Sequence, residues 1–297
     1  MAIKKHVHIL IELLRPFTLL APLLVSSGVM IASFAYYHNE ASFVSLLPII
    51  LCASFSLALL NGASNALNQA TDYKEDKASK SYRPIPKGLL TPGQAIYIAC
   101  ATYLIAIILS LTVHVTFFLF VLLITFFTVS YSIKPRMKKH LLWNQLWVAI
   151  PRGLLGILAS WSVFGNPFEQ LPLIIGSIAA LYLFGGTTTK DILDAKADEQ
   201  SNVRTMVNVF GIRFTAGFAF LCMGGAFSLI LPLIILGYLE TYLVPLALLI
   251  ICSFIIFHLM RKDTQAHRHE NTRAWMMMYA TYFVYALGFA LLTILFA

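Results

Sequence analysis

The chain has 297 residues, 59% of them hydrophobic and 11% charged, with a mean hydropathy of +0.79. Soluble domains run to about 45–50% apolar and about 25% charged, so a water-soluble globule is excluded and a bilayer-embedded chain is expected. The formal net charge of +8 does not call for nucleic acid, because the placement of the charges gives it a topological cause.

A bilayer core of roughly 30 Å takes about 20 apolar residues per helical crossing. In chain order such runs fall at about 17–37, 43–62, 95–113, 115–131, 143–164, 171–189, 214–236, 243–260 and 275–297. The expectation is an all-α membrane protein with nine transmembrane helices, the whole of 1–297 forming one domain. Long continuous runs exclude a β-barrel. The first run follows Lys4, Lys5 and Arg15 as a signal peptide would, but it is too long and eight further runs follow it, so it reads as a retained helix. Between the third and fourth runs "TVHVT" must reverse the chain tightly.

Twenty of the 21 Lys and Arg fall before the first run or in the second, fourth, sixth and eighth connections, and the odd-numbered connections hold none. The positive-inside rule then places the N-terminus in the cytoplasm and the C-terminus outside. Anionic lipid headgroups are attracted to the same basic face. Cys52, Cys100, Cys222 and Cys252 lie in apolar runs without CxxC spacing, and read as buried small hydrophobes, with neither disulfide nor zinc expected.

Seven of the thirteen acids share two places: Asp72, Glu75 and Asp76 after the second run, and Asp191, Asp194, Asp198 and Glu199 after the sixth. The predicted topology delivers both to the cytoplasmic side. Asn68, Asp72 and Asp76 stand at i, i+4, i+8, and Asp191, Asp194 and Asp198 at i, i+3, i+7, so each group is predicted to form one stripe on a helix. Carboxylates crowded at a helix C-terminus oppose the macrodipole and repel one another. A divalent cation compensates them. Mg²⁺ takes hard oxygen ligands, keeps several waters and is held by one or two carboxylates plus substrate phosphates. Two facing acidic stripes therefore suit metal ions that bridge to a diphosphate, and the plain alternative is a set of solvated loop charges balanced by nearby lysines.

Basic groups accompany the acids. "YRPIPKG" carries Arg83 and Lys87, and "YSIKPRMKK" carries Tyr131, Lys134 and Arg136; these are candidates for a diphosphate clamp. Lys138 and Lys139 read as topology determinants alone. Arg152, in "VAIPRGLLG", lies inside the fifth run, where a charge is costly and functional by default. The flanking Pro151 and Gly153 allow a kink that turns the guanidinium toward a cavity or toward buried carbonyls.

"NQATDYKED" resembles the NxxxDxxxD motif of the UbiA superfamily of intramembrane prenyltransferases, and "DILDAKAD" resembles the second aspartate motif of that family. "YRPIPKG", "YSIKPR" and the nine runs extend the resemblance over nearly the whole chain. It implies a helical bundle around a central chamber, with cytoplasmic cap loops at about 67–94 and 190–213, Mg²⁺ as cofactor, and an isoprenyl diphosphate donor whose tail lies in the chamber. Carried over residue by residue, it implies metal and diphosphate binding by Asn68, Asp72, Asp76, Asp191, Asp194 and Asp198, with Arg83, Tyr131, Lys134 and Arg136 beside them. The chain departs from the family where related sequences read "RPIPSGRIS": Lys87 and Leu89 replace a Ser and an Arg.

The expected reaction is ionisation of the allylic diphosphate in a water-excluding cavity, followed by attack of the acceptor, with Asp72, Asp191 and Asp194 as catalytic residues and Asp191 as candidate base. A quinone-type aromatic acceptor is favoured, with a glycerol-phosphate lipid or a tetrapyrrole as the alternative. An ion-coupled transporter is the rival from another class. Transporter sites lie near the bilayer midplane on broken helices, whereas Asn68, Asp72 and Asp191 are predicted at the cytoplasmic boundary.

Overall fold

Backbone N–H and C=O groups in a bilayer have no water to bond and must be satisfied within the segment, which is why the apolar runs fold as helices. The computed structural model of the chain describes residues 2–37, 42–200, 203–262 and 272–297. Every regular element among them is helical. In order they are α1 (Ala2–Leu14), α2 (Pro16–Tyr36), α3 (Phe43–Thr71), α4 (Tyr73–Ser79), α5 (Pro92–Leu111), α6 (Val115–Ser132) and α7 (Trp143–Ala149). After a π-helical turn at Ile150–Leu155 come α8 (Gly156–Trp161), α9 (Gln170–Gly186), α10 (Asp191–Gln200), α11 (Met206–Ser228), α12 (Ile230–Ile235), α13 (Ile250–Lys262) and α14 (Arg273–Phe296). Short 3₁₀ segments include Thr187–Lys190, which joins α9 to α10, and Thr241–Leu249 before α13.

Eight helices among the described residues are long and apolar enough to cross a membrane, one fewer than the nine expected. The difference is the fifth run. Its residues run as uninterrupted helix over 143–161, but a π turn in the middle divides that helix into α7, the π turn and α8, none of which is by itself of spanning length. Pro151 lacks the N–H that a regular turn would use, and the wider turn accommodates it. The TVHVT reversal is made by Thr112, Val113 and His114, whose imidazole Nδ1 accepts from the Thr116 N–H and caps α6. Only Cys222 of the four cysteines is buried; Cys100 is exposed on its helix, so the expectation of uniform burial fails where a small apolar side chain faces outward from a span.

The chain forms two compact units: residues up to 27 with those from 42 to 136, and residues 28–37 with those from 137 onward. In the first unit α3 packs along α5. Small side chains permit the close approach: Ala53, Ala95, Ala99 and Ala106 are fully buried, and Ser56 Oγ donates to the Ala106 carbonyl at 2.7 Å. The break between α1 and α2 falls at Arg15, with φ of 58°, followed by Pro16 at the first helical position. Three carboxamides spaced four residues apart on α3 bind that break. Asn61 donates to the Thr18 carbonyl at 2.9 Å, Asn65 to the Leu14 carbonyl at 3.0 Å and to Thr18 Oγ1 at 2.8 Å, and Gln69 to the Leu13 carbonyl at 2.7 Å. The terminal carbonyls of α1 thereby gain donors that a helix end otherwise lacks.

In the second unit α9 packs against α11, α7 and the π turn, and α11 packs against α13. Glycine makes two close approaches possible: a Cβ on Gly153 would stand 2.6 Å from the backbone nitrogen of Ala180, and one on Gly185 2.6 Å from Cys222 Cβ. Tyrosine hydroxyls tie the helices together through carbonyls, Tyr182 to Met278 at 2.9 Å, Tyr285 to Ile175 at 2.8 Å and Tyr282 to Arg152 at 2.8 Å. The last of these carbonyls lies in the π turn.

Replacing Asn65 with Ala removes two hydrogen bonds from the α1–α2 break, and the expected loss is about 1–3 kcal/mol. Thermal unfolding in detergent checks it as a drop in Tm of several degrees.

Candidate active site

The first aspartate motif begins on α3 and continues on α4. The predicted single stripe is broken at its middle: α3 ends at Thr71, Asp72 is the C-cap with φ −98° and ψ 14°, and α4 starts at Tyr73. The chain nevertheless keeps a helical course, because the Asp72 N–H donates to the Asn68 carbonyl at 3.0 Å and the Asp76 N–H to the Asp72 carbonyl at 2.8 Å.

Two guanidinium groups hold this end. Arg136 Nη2 donates to the Thr71 carbonyl at 3.0 Å, to Asp72 Oδ1 at 2.8 Å and to Glu75 Oε1 at 3.3 Å. It is at once a cap on the C-terminal carbonyls of α3 and a counter-ion. Arg83 Nη1 donates to Asp76 Oδ2 at 2.7 Å, and this pair is buried, with Asp76 3% and Arg83 7% exposed. Burial raises the Asp76 carboxyl pKa above its ordinary value, and the Arg83 guanidinium opposes that push without cancelling it. Lys87 and Lys134 are exposed, and Tyr131 and Asn68 are half-buried. The loop after Arg83 is shaped by Ile85, which is buried, and by Gly88, whose φ of 72° closes the turn with the Leu89 N–H on the Pro84 carbonyl at 3.0 Å.

The second motif follows α9. The 3₁₀ segment Thr187–Lys190 carries three buried threonines; Thr188 and Thr189 donate their hydroxyls to the Gly185 and Gly186 carbonyls at 2.7 Å each. Asp191 then opens α10, which carries Asp194 and Asp198 on its backbone at the predicted spacing. Asp191 is 3% exposed, and Gln145 Nε2 on α7 donates to its Oδ2 at 3.3 Å. Beside it, Lys190 Nζ donates to Asn144 Oδ1 at 3.2 Å. Asp198 is half-buried; the side chain of Asp194 lies outside the described residues. Arg152 is exposed on the π turn. Lys138, expected only to set topology, is 8% exposed.

Sequence reasoning missed Asn144 and Gln145, and placed Glu75 in the acidic cluster without a role. For the first two a signal existed, since two consecutive carboxamides in "LLWNQLW" open an otherwise apolar run. They were absorbed into the fifth span.

The oxygen donors of both motifs, one carboxamide and several carboxylates, suit Mg²⁺ and not a soft metal. Among the described residues no three acidic, His or Cys groups already converge as a coordination shell. Asp72 and Asp76 are engaged by arginine, but a carboxylate has about four acceptor sites, so one guanidinium does not exhaust it.

The model of the UbiA prenyltransferase family matches residues 24–282. The chain belongs to that family. It is a multi-pass membrane prenyltransferase. Digeranylgeranylglyceryl phosphate synthase of Methanosphaera stadtmanae is 26% identical over 206 residues, covering 68% of this chain and 69% of the relative. A solved structure described as giving mechanistic insight into digeranylgeranylglyceryl phosphate synthase in membranes superposes with a TM-score of 0.69 at 18% identity, over 98% of this chain and 99% of the other. A UbiA homologue from Archaeoglobus fulgidus bound to DMAPP and Mg²⁺ superposes with a TM-score of 0.64 at 14% identity, over 97% and 99%. These two structures bear on the fold, and the second shows a family member holding Mg²⁺ and an isoprenyl diphosphate.

Replacing Arg83 with Met leaves a buried carboxylate without its partner, which costs about 3–5 kcal/mol. The double variant Arg83→Met with Asp76→Leu is expected to recover most of that loss. Thermal unfolding of the three proteins tests the cycle.

Proposed function

We propose that this UbiA prenyltransferase transfers a prenyl group from an isoprenyl diphosphate to the alcohol of a glycerol-phosphate lipid, releasing pyrophosphate with Mg²⁺. The quinone-type ring favoured by the sequence reading gives way here, because the similar relative from Methanosphaera stadtmanae and the solved structure of TM-score 0.69 are both named for digeranylgeranylglyceryl phosphate synthesis. That shared name is the observation that carries the acceptor class. For the transfer itself, the support is the presence of both aspartate motifs in a chain of this family.

Asn68, Asp72 and Asp76 in one motif and Asp191, Asp194 and Asp198 in the other would hold Mg²⁺, which when bound would supply charge stabilisation for the leaving pyrophosphate. The residues of the chain do the rest. Arg83 and Arg136, now paired with Asp76 and Asp72, share their donors with the diphosphate when it arrives; a guanidinium has five N–H groups and can serve both. Lys87, Lys134, Tyr131 and Arg152 are further donors to the anionic head. As the carbon–oxygen bond of the allylic diphosphate breaks, the allylic cation persists only if water is kept away, and the apolar helices provide that exclusion. Asp191 takes the proton of the attacking alcohol. The active-site ends of α3 and α9 are assigned to the cytoplasmic side by the distribution of Lys and Arg, with the N-terminus inside and the C-terminus outside.

The test is pyrophosphate release from geranylgeranyl diphosphate with a prenylglyceryl phosphate acceptor. Wild-type protein is expected to turn over only with Mg²⁺ and to stop on chelation. Asp72→Ala and Asp191→Ala are each expected to lose at least about 100-fold in rate, on the order of 2.7 kcal/mol. Undiminished turnover by both variants ends this mechanism, and turnover with an aromatic acceptor in preference to the glyceryl phosphate reassigns the acceptor.

A further inference from the structure

Gln145 is fully buried, at 0% exposure, on α7. Its orientation is decided by chemistry: only the amide nitrogen can face a carboxylate, and Nε2 lies 3.3 Å from Asp191 Oδ2. Oε1 of the same amide is therefore fixed as an acceptor, and it has no hydrogen-bond partner among the described residues. A buried acceptor without a donor is destabilising, and native structures hold few of them.

The neighbouring residue shows that the amide pair is matched to what it meets. Asn144, also buried, presents its oxygen to the Lys190 ammonium at 3.2 Å, while Gln145 presents its nitrogen to the adjacent carboxylate. Two consecutive carboxamides thus meet two consecutive side chains of opposite charge, each with the correct end. Packing alone would be served better by leucine at both positions, since buried polar groups lower stability unless fully satisfied. Among the described residues, the Gln145 oxygen is left in this arrangement without a donor.

We infer that Gln145 is a positioning residue for Asp191, and that its Oε1 accepts an O–H from the ligand bound beside that carboxylate. The inference rests on the transferase reading above. The O–H has two sources of shared chemistry: a water of the hydrated Mg²⁺ ion or the nucleophilic alcohol of the acceptor. Either gives Oε1 the donor it lacks, and both place the donor where Asp191 works.

The experiment compares wild type with Gln145→Leu and Gln145→Met in the full-length protein in detergent. Met is the closer match in shape and guards against a Leu variant that does not fold. Two readouts are taken: the Mg²⁺ concentration giving half of the metal-induced rise in Tm, which needs no turnover, and KM for donor and acceptor in pyrophosphate release. Outer-sphere partners of metal ligands typically contribute 10–100-fold. If the O–H belongs to metal-bound water, the half-point for Mg²⁺ rises about tenfold or more. If it belongs to the alcohol, acceptor KM rises by a similar factor with the Mg²⁺ half-point and donor KM unchanged. A folded variant with all three values at the wild-type level overturns the inference while leaving the transferase reading intact. Wild-type protein that shows neither turnover nor a Mg²⁺ response overturns that reading first, and this inference with it.

Discussion

A carboxylate carried out of water at the end of an apolar helix must find a cation, and much of the local structure of the first unit follows from that requirement. Asp72 caps α3 and Asp76 follows on α4, just past the end of the apolar run. Arg136 answers Asp72, and Arg83 answers Asp76. Because each guanidinium must arrive from elsewhere in the chain, the pairing also dictates where the connecting segments run. The stretch after α4 turns back so that Arg83 is buried against Asp76, with Ile85 packed behind it and Gly88 closing the turn. The segment after α6 delivers Arg136 to the end of α3, where one nitrogen serves a carbonyl and two carboxylates.

The second unit brings carboxamides to its acid and to the base beside it. Asp191 is as deeply buried as Asp76, but its described partner is the neutral Gln145 amide, and Lys190 next to it is met by Asn144. Arginine pairing makes the first motif a pre-formed anion and cation set, whereas the Gln145 amide orients Asp191 through a neutral donor.

The spans and the motifs were largely legible, for simple reasons. Bilayer thickness imposes a run length that hydropathy reads directly, and helix ends deviated mainly where polar residues continued a helix beyond its apolar part, as α3 does through Asn65, Asn68 and Gln69 to Thr71. The fifth span was legible as helix but not as a sequence of three pieces, since the π turn depends on how Pro151 is accommodated against α9. At the site, the spacing of Asn68, Asp72 and Asp76 announced itself. The partnership of Arg83 with Asp76 did not, because nothing in "YRPIPKG" says whether an arginine faces a ligand or an acid seven residues earlier; only the path of the loop decides. Gln145 was hidden for the opposite reason, being polar within a stretch whose average hydropathy is that of a membrane helix. The acceptor lay beyond a single sequence, and the names of relatives supplied its class.

Where the π turn crosses α9, the two backbones meet through a missing side chain: the space in which a Cβ of Gly153 would sit is already filled by the Ala180 main chain. Eleven residues on from Ala180, at roughly 1.5 Å of rise each, the same strand of helix gives way to Asp191. The elevation of Asp191 relative to α7 is thus gauged by a contact in which one partner is a hydrogen atom. Lipids or temperature that swell the bundle would have to open that seam before they could shift Asp191 along the axis of α9.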